Sequence, residues 1–160
     1  MDKPKIYLET TIFNFPFAED APELKADTLK LFEMIKAGKY EPFTSSYALD
    51  ELENTKQSDK LEKMKGLIRD FNIKIIPFSG EAEKLALLYI AEGIMNRKYS
   101  TDAYHIAITT VNQLDFIVSL NFQHIVRQKT IFETARINKR EGYKKIGIYE
   151  PWEVINDKNS

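Results

Sequence analysis

The chain has 160 residues, of which 43% are hydrophobic and 12% aromatic, and this is enough to build the core of one domain. Its formal net charge of -1 and its pI near 6.2 exclude a protein that coats nucleic acid through overall positive charge. The absence of cysteine excludes disulfides, thiol nucleophiles and thiolate metal sites, and suits a cytoplasmic protein. No segment predicts a signal peptide or a membrane span.

Short apolar runs alternate with longer amphipathic segments along the chain. This alternation predicts an α/β fold in which helices cover both faces of a five-stranded, mainly parallel sheet. We predict a single domain over residues 1–155 and a frayed tail at 156–160. The predicted strands are residues 5–8, 42–44, 73–77, 115–119 and 145–149.

The helix predictions rest on capping residues and on the helical spacing of apolar side chains. Proline is favoured at the start of a helix, glycine just after its end, and serine or threonine at the N-cap. The predicted helices are one from Pro22 to a stop at Gly38, one capped by Ser45 or Ser46, a lysine-rich solvated one across 56–65, one across 81–95, and one capped by Ser100 or Thr101.

Three acidic residues are predicted to lie at one edge of the sheet. Glu9 follows the first strand directly, Glu51 lies in the helix after the second strand, and Asp102 lies in the first turn of the helix before the fourth strand. Asn121 follows the fourth strand. Because the carboxyl ends of parallel strands share an edge, we expect these four side chains to lie close together.

Three carboxylates within roughly 5 Å of one another would repel strongly. At an effective dielectric constant of about 20, each pair would repel by about 3 kcal/mol and the three pairs by about 10 kcal/mol, comparable to the stability of a whole domain. Such a cluster must protonate, spread apart or hold a cation. Oxygen ligands without cysteine or a histidine pair favour Mg²⁺ or Mn²⁺, and hydrolysis of a phosphodiester is the chemistry that follows from such an ion.

Each acid also has a structural interpretation. Asp102 can stabilise the N-terminus of its helix, an effect of only about 0.3–1 kcal/mol. Glu51 lies between the acids Asp50 and Glu53, as is common on a solvated helix face. Glu9 is harder to explain in this way, because a buried strand end penalises an idle carboxylate.

Taken in order, these segments resemble the PIN-domain family of metal-dependent nucleases, in particular its small single-domain, toxin-like ribonucleases. The resemblance spans most of the chain, and the order and spacing of its pieces carry it rather than any single motif. Those pieces are Tyr7-Leu8-Glu9-Thr10-Thr11, Ser45-Ser46 with Glu51-Leu52, residues 102–107 and residues 115–122.

The resemblance implies a three-layer α/β/α sandwich, Mg²⁺ or Mn²⁺ as cofactor, RNA as substrate, a homodimer and, for a toxin, an antitoxin protein as partner. It places Asn121 in the catalytic set beside the three acids. The resulting site predictions are Glu9, Glu51 and Asp102 for the metal, and Thr10, Ser119 and Asn121 for the substrate.

Two residues depart from the family pattern, which usually has Asp at the position of Glu9 and often an acid at that of Asn121. The longer side chain displaces one carboxylate, and the amide removes one charge. We therefore predict one bound metal ion rather than two. The alternative is a PIN-fold module that binds RNA or a protein without cutting, and a structure-specific DNA nuclease is less favoured because the added elements that clamp DNA are missing.

Four further features have both structural and functional interpretations. His105 is predicted to be a hydrogen-bonded core residue, and His124 to contact phosphate or to pack at a helix start. The aromatic segment 13–17 favours a hydrophobic plug or a subunit interface over base stacking. Residues 126–145 hold seven basic and two acidic residues, which slightly favours a surface that faces RNA.

Overall fold

The architecture is an α/β fold with one five-stranded, all-parallel sheet, seen in a computed structural model that describes residues 2–157. The strand order is β3-β2-β1-β4-β5, and every neighbouring pair is parallel. The predicted fold class is thus confirmed, although the last three strands are shorter than predicted. The strands are β1 (Lys5–Leu8), β2 (Glu41–Ser45), β3 (Lys74–Ile76), β4 (Phe116–Val118) and β5 (Gly147–Tyr149).

Within the described residues, eight α-helices connect or follow the strands. Two short 3-10 turns accompany them, at Phe15–Phe17 and Arg97–Tyr99. No helix in residues 2–157 has both the length and the apolar character that crossing a membrane requires. The helices are α1 (Thr10–Asn14), α2 (Pro22–Lys36), α3 (Ser46–Leu52), α4 (Ser58–Asp70), α5 (Gly80–Ala91), α6 (Ser100–Val111), α7 (Gln128–Arg140) and α8 (Pro151–Ile155).

The central strands divide the molecule into two cores, because successive side chains of a strand point to opposite faces. Tyr7 and Ile117 face a core that receives side chains from α5, α6 and α7. Ile6, Leu8 and Val118 face the other core, which receives side chains from α2, α4 and α8. Both faces of the sheet are therefore covered, as expected of a parallel sheet.

The helix ends test the capping predictions. Ser45 caps α3 through a bond that its Oγ accepts from the N–H of Ala48 at 3.0 Å, as predicted. The prediction for α6 is wrong, because its N-cap is Tyr99 and Ser100 is already helical. The prediction that α5 extends to residue 95 is also wrong, since the helix ends at Ala91, just before a left-handed glycine at Gly93.

The aromatic segment that follows α1 packs inside the protein. Phe13 is fully buried, and its ring lies 6.4 Å from that of Phe32, centroid to centroid. Phe15 and Phe17 are partly buried against the same core. This packing agrees with the predicted hydrophobic plug. At the other end, α8 packs on α2, while residues 158–160 of the predicted tail lie outside the described residues.

The strand order places a switch point, the position at which parallel α/β sheets form a ligand crevice, at the carboxyl edge between β1 and β4. The chain moves from β1 outward through β2 to β3, and then returns to the other side of β1 as β4. Connections leave these two neighbouring strands in opposite directions at such a switch point, so the edge stays open to a ligand. Glu9 directly follows β1 and Ser119 directly follows β4 at this crevice.

Ile117→Ala should lower the free energy of unfolding by about 2–5 kcal/mol, because it empties space in a fully buried central strand. The matched control is Ile75→Ala in edge strand β3, where the side chain is 46% exposed and the expected loss is at most about 1 kcal/mol. Urea denaturation measures both. Equal losses in the two variants would contradict this description of the core.

Candidate active site

All four predicted residues of the catalytic set lie at the carboxyl edge of the sheet. Glu9 follows β1, Glu51 lies in the last turn of α3, Asp102 lies in the first turn of α6, and Asn121 follows β4. The predicted common edge is therefore confirmed. The hydrogen-bond partners of each carboxylate determine its position at this edge.

Glu9 is almost fully buried, with 4% of the residue exposed. It is the N-cap of α1, where its Oε2 accepts from the N–H of Thr11 at 3.2 Å. Its Oε1 accepts from the hydroxyls of Thr11 and Ser119, each at 2.6 Å. These three donors compensate the burial of a charged group. The position of Glu9 thus links α1 to the end of β4.

Glu51 forms an ion pair with His105, a fully buried imidazole of α6. The bond joins Nε2 of His105 to Oε1 of Glu51. The hydroxyl of Thr10 donates to the same oxygen at 2.7 Å. In the described part of the chain, Oε2 of Glu51 has no hydrogen-bond partner, so one oxygen of this carboxylate remains available.

The pKa values of the two partners shift in the directions that an ion pair requires. Burial alone would raise the pKa of Glu51, but His105 and the Thr10 hydroxyl outweigh it and lower this pKa below 4.5. Burial alone would lower the pKa of His105, but the hydrogen bond and charge of Glu51 raise it above 6.5. The charges of Glu9 and Asp102 add to that increase. One imidazolium therefore faces all three acids.

Behind His105, hydrogen bonds close a ring through the core. Nδ1 of His105 lies 2.6 Å from the hydroxyl of Tyr7, and this hydroxyl lies 2.8 Å from Oγ of Ser45. Burial raises the pKa of Tyr7, which keeps its hydroxyl protonated and able to donate. Because Ser45 caps α3, the helix that carries Glu51, the ring returns to its starting point. Both strand β1 and helix α6 thereby fix the position of Glu51.

Asp102 is held by the loop that follows β4. Its Oδ1 accepts from the Asn121 side-chain amide at 3.1 Å, and its Oδ2 lies 3.3 Å from Nδ1 of His124. Oδ1 of Asn121 accepts from the N–H of His124 at 3.0 Å, which folds the loop into a turn. The amide of Asn121 thus bonds Asp102 through its nitrogen and the loop through its oxygen.

Glu9 and Asp102 are neighbours in charge and in hydrogen bonding. Burial is the main cause that raises the pKa of Asp102, and the negative charge of Glu9 raises it further. Between the two acids, Oγ of Ser119 donates to Glu9 and accepts from the N–H of Asn121 at 2.9 Å. In residues 2–157, neither carboxylate forms an ion pair with Lys or Arg.

The three predicted substrate-binding residues each donate to a different acid. Thr10 donates to Glu51, Ser119 to Glu9, and Asn121 to Asp102. They therefore position the carboxylates in this structure. Their contact with substrate remains a prediction.

The predicted cluster of three metal-binding acids is not formed. No group of three or more His, Asp or Glu side chains among residues 2–157 lies close enough to hold one metal ion. The repulsion between acids is relieved instead by the pairing of Glu51 with His105. A site of two carboxylates fits Mg²⁺, which keeps several waters and takes one or two carboxylates together with substrate phosphates. Glu9 and Asp102 are the two acids that remain outside the ion pair with His105.

Sequence reasoning missed the partners of the acids. His105 is a buried core residue, as predicted, but its ion pair with Glu51 was not predicted. His105 lies three residues after Asp102, so both lie on one face of α6. Tyr7 is a tyrosine in a buried, mainly apolar strand. Because a buried hydroxyl needs a hydrogen-bond partner, this position indicates a polar contact inside the core. These two features together could have predicted the ring.

Three of the seven basic residues in the stretch 126–145 form ion pairs within the protein. On α7, Arg136 pairs with Glu92 and Glu133, and Arg140 pairs with Glu92 and Glu141. Lys144 pairs with Asp115 at 2.9 Å. The other four basic residues of the segment, Arg127, Lys129, Lys139 and Lys145, form no ion pair with an acid in residues 2–157, so a surface that faces RNA remains a prediction.

Comparisons with known proteins support the fold. A scan against models of protein families and a search of curated proteins found no match. Among solved structures, the chain is similar to the crystal structure of VapBC2 from Rickettsia felis bound to a DNA fragment from their promoter. The match has a TM-score of 0.53 and 15% sequence identity, and covers 91% of this chain and 97% of the other. At this identity, the likeness establishes a shared fold.

Glu51→Gln should lower the pKa of the His105 imidazole, because the hydrogen bond and charge of Glu51 are what overcome its burial. An NMR titration of the imidazole measures this change. The matched control is Glu53→Gln, which removes the same charge from an acid paired with Lys65. An unchanged pKa of His105 in the Glu51 variant would contradict the ion pair.

The same variant should lose stability in a defined pH window. A raised pKa of His105 stabilises the fold fully below about pH 6.5 and no longer above the raised value. A lowered pKa of Glu51 stabilises it above about pH 4.5, and this is lost as pH falls through the lowered value. The stability deficit of Glu51→Gln should therefore be largest between these two limits.

Proposed function

We propose that this protein is a divalent-metal-dependent ribonuclease that hydrolyses phosphodiester bonds. The observation that carries the proposal is the pair of Glu9 and Asp102 in the crevice between β1 and β4, with no Lys or Arg paired to either carboxylate in residues 2–157. Two neighbouring carboxylates without a Lys or Arg partner favour a bound cation. A cation there also neutralises the charge of an approaching phosphate.

Glu9 and Asp102 would hold Mg²⁺ or Mn²⁺, with waters and a substrate phosphate as further ligands. When bound, the ion would lower the pKa of a water and stabilise negative charge on the phosphate. Ser119 keeps the carboxylate of Glu9 in place, and Asn121 does the same for Asp102. We infer one ion rather than two, since the third acid is paired with His105.

Glu51 has a different role from Glu9 and Asp102. Its Oε1 accepts from His105 and Thr10, which keeps the group ionised and fixes its orientation. Its Oε2 is available to accept a hydrogen bond from an attacking water. Glu51 thus orients the water rather than binding the metal directly.

The resemblance to toxin-like PIN nucleases supports RNA as substrate and a role as the toxin of a toxin–antitoxin pair. The likeness to VapBC2, seen bound to promoter DNA, supports an antitoxin protein as partner. The homodimer rests on the resemblance alone. The assignment of RNA binding to the charged edge, rather than to another surface, also rests on the resemblance alone.

A second candidate is a PIN-fold module that binds RNA or a protein without cutting. The observation that favours it is that each acid already has protein partners, as described above for Glu9, Glu51 and Asp102. A site whose carboxylates are compensated by the protein has less need of a cation. Metal binding and turnover distinguish the two candidates.

Asp102→Asn should abolish Mn²⁺-dependent cleavage of single-stranded RNA, with a loss of more than about 100-fold, because even an outer-shell partner of a metal costs about 10–100-fold. The amide preserves the shape of the side chain, so a loss reports the charge. The matched control is Asp70→Asn at the C-terminus of α4, which should keep full activity.

A second measurement separates metal binding from chemistry. Mn²⁺ should raise the melting temperature of the wild-type protein and of Asp70→Asn, but not of Asp102→Asn, because only a bound ion stabilises the native state. Full metal-dependent cleavage by Asp102→Asn would reject this site. Absence of any cleavage by the wild type, with no stabilisation by Mn²⁺, would favour the non-catalytic module.

A further inference from the structure

A second groove opens directly beside Asp102. It has a volume of about 290 Å³ and lies between the segment before α6 and the start of α7. His124 lines this groove and also bonds Asp102, so the two sites share a wall. The polar and aromatic side chains that line it are Asn96, Arg97, Tyr99, His124, Arg127 and Lys129.

The cations of this groove differ from the two arginines farther along α7. Arg97, Arg127 and Lys129 form no ion pair with any carboxylate in residues 2–157. Arg136 and Arg140, farther along α7, are each paired with two acids. The groove therefore keeps a net positive charge next to the negatively charged crevice. Uncompensated cations beside an acidic centre favour a ligand with several negative charges.

Arg127 is fixed in place by the protein. Its Nε donates to the hydroxyl of Thr130 at 2.8 Å, and its Nη2 donates to the carbonyl of Ile94 at 2.6 Å. The Thr130 hydroxyl donates in turn to the carbonyl of His124 at 2.5 Å. These bonds use two of the five N–H donors of the guanidinium, so the others remain available to an anion. A guanidinium held in this way loses little entropy on binding a phosphate.

The aromatic wall of the groove is equally ordered. The rings of Tyr99 and His124 stack with their centroids 3.8 Å apart, and the N–H of His124 donates to Asn121. The wall is thus continuous with the loop that positions Asp102. A strand that lies in the groove would place its next phosphodiester at the crevice.

We propose that this groove binds the phosphates of a single-stranded RNA on one side of the bond to be cut. The inference rests on the proposed function, because it assigns the groove to the substrate of the same site. Arg127 provides a fixed contact, and the exposed Arg97 and Lys129 provide two further charges. Single strands suit the groove because their backbone follows a narrow basic track.

The test measures RNA binding in EDTA, so that neither metal nor cleavage enters. Fluorescence anisotropy of a labelled single-stranded RNA is recorded over a range of salt concentrations for wild type and for Arg97→Ala/Lys129→Ala. We expect at least about a 10-fold loss of affinity, and a decrease of about 1.4 in the slope of log K against log salt, since each phosphate contact on a single strand contributes about 0.7.

The matched control is Lys139→Ala/Lys145→Ala, which removes two exposed, unpaired lysines outside the groove, at the end of α7 and before β5. It should keep wild-type affinity within about 2-fold. Equal losses in both double variants, no loss in the groove variant, or no RNA binding by the wild type would overturn the proposal. Equal competition by polyglutamate would also overturn it, because it would indicate a site for acidic protein segments.

Failure of the groove and failure of the nuclease give different results. If the groove variant loses affinity in EDTA while the wild type does not cleave with Mn²⁺, the RNA-binding groove is supported and the ribonuclease activity is rejected. If the wild type cleaves with Mn²⁺, Asp102→Asn does not, and the groove variant binds and cleaves normally, only the groove is rejected.

Discussion

One buried imidazole determines how the carboxyl edge of this sheet is organised. Three acids lie around His105, and each raises its pKa despite complete burial. The imidazole pairs with Glu51, while Glu9 accepts from hydroxyl and backbone N–H donors and Asp102 contacts the side chains of Asn121 and His124. The repulsion that a cluster of three carboxylates would suffer is therefore relieved partly by separation and partly by a cation that belongs to the protein.

This arrangement gives the edge two regions of opposite character. The crevice keeps two carboxylates, Glu9 and Asp102, that form no ion pair with any Lys or Arg in residues 2–157. The groove beside it keeps cations that no described carboxylate compensates, and His124 forms the boundary between the two. A polyanion that needs a cation at one of its phosphates, and basic side chains at the next, matches both regions. The two proposals thus describe neighbouring parts of one substrate path.

The sequence predicted the elements better than their interactions. Periodicity and capping residues located five strands and the common edge, because these depend on local patterns and on the parallel order. The pairing of Glu51 with His105 could not be read in this way, since 54 residues separate them and only the packed structure brings them together. Composition likewise counts the charges of residues 126–145 but does not reveal that Glu92 pairs with two of the arginines, Arg136 and Arg140.

The bond between Ser119 and Glu9 joins residues that are 110 positions apart. Loop closure over such a span costs entropy before any contact can compensate it, and parallel pairing of this kind is slow to form. The acidic crevice is thus complete only once β4 has docked against β1. During synthesis, a nascent chain would carry Glu9 for most of its translation before Ser119 is available to bond it.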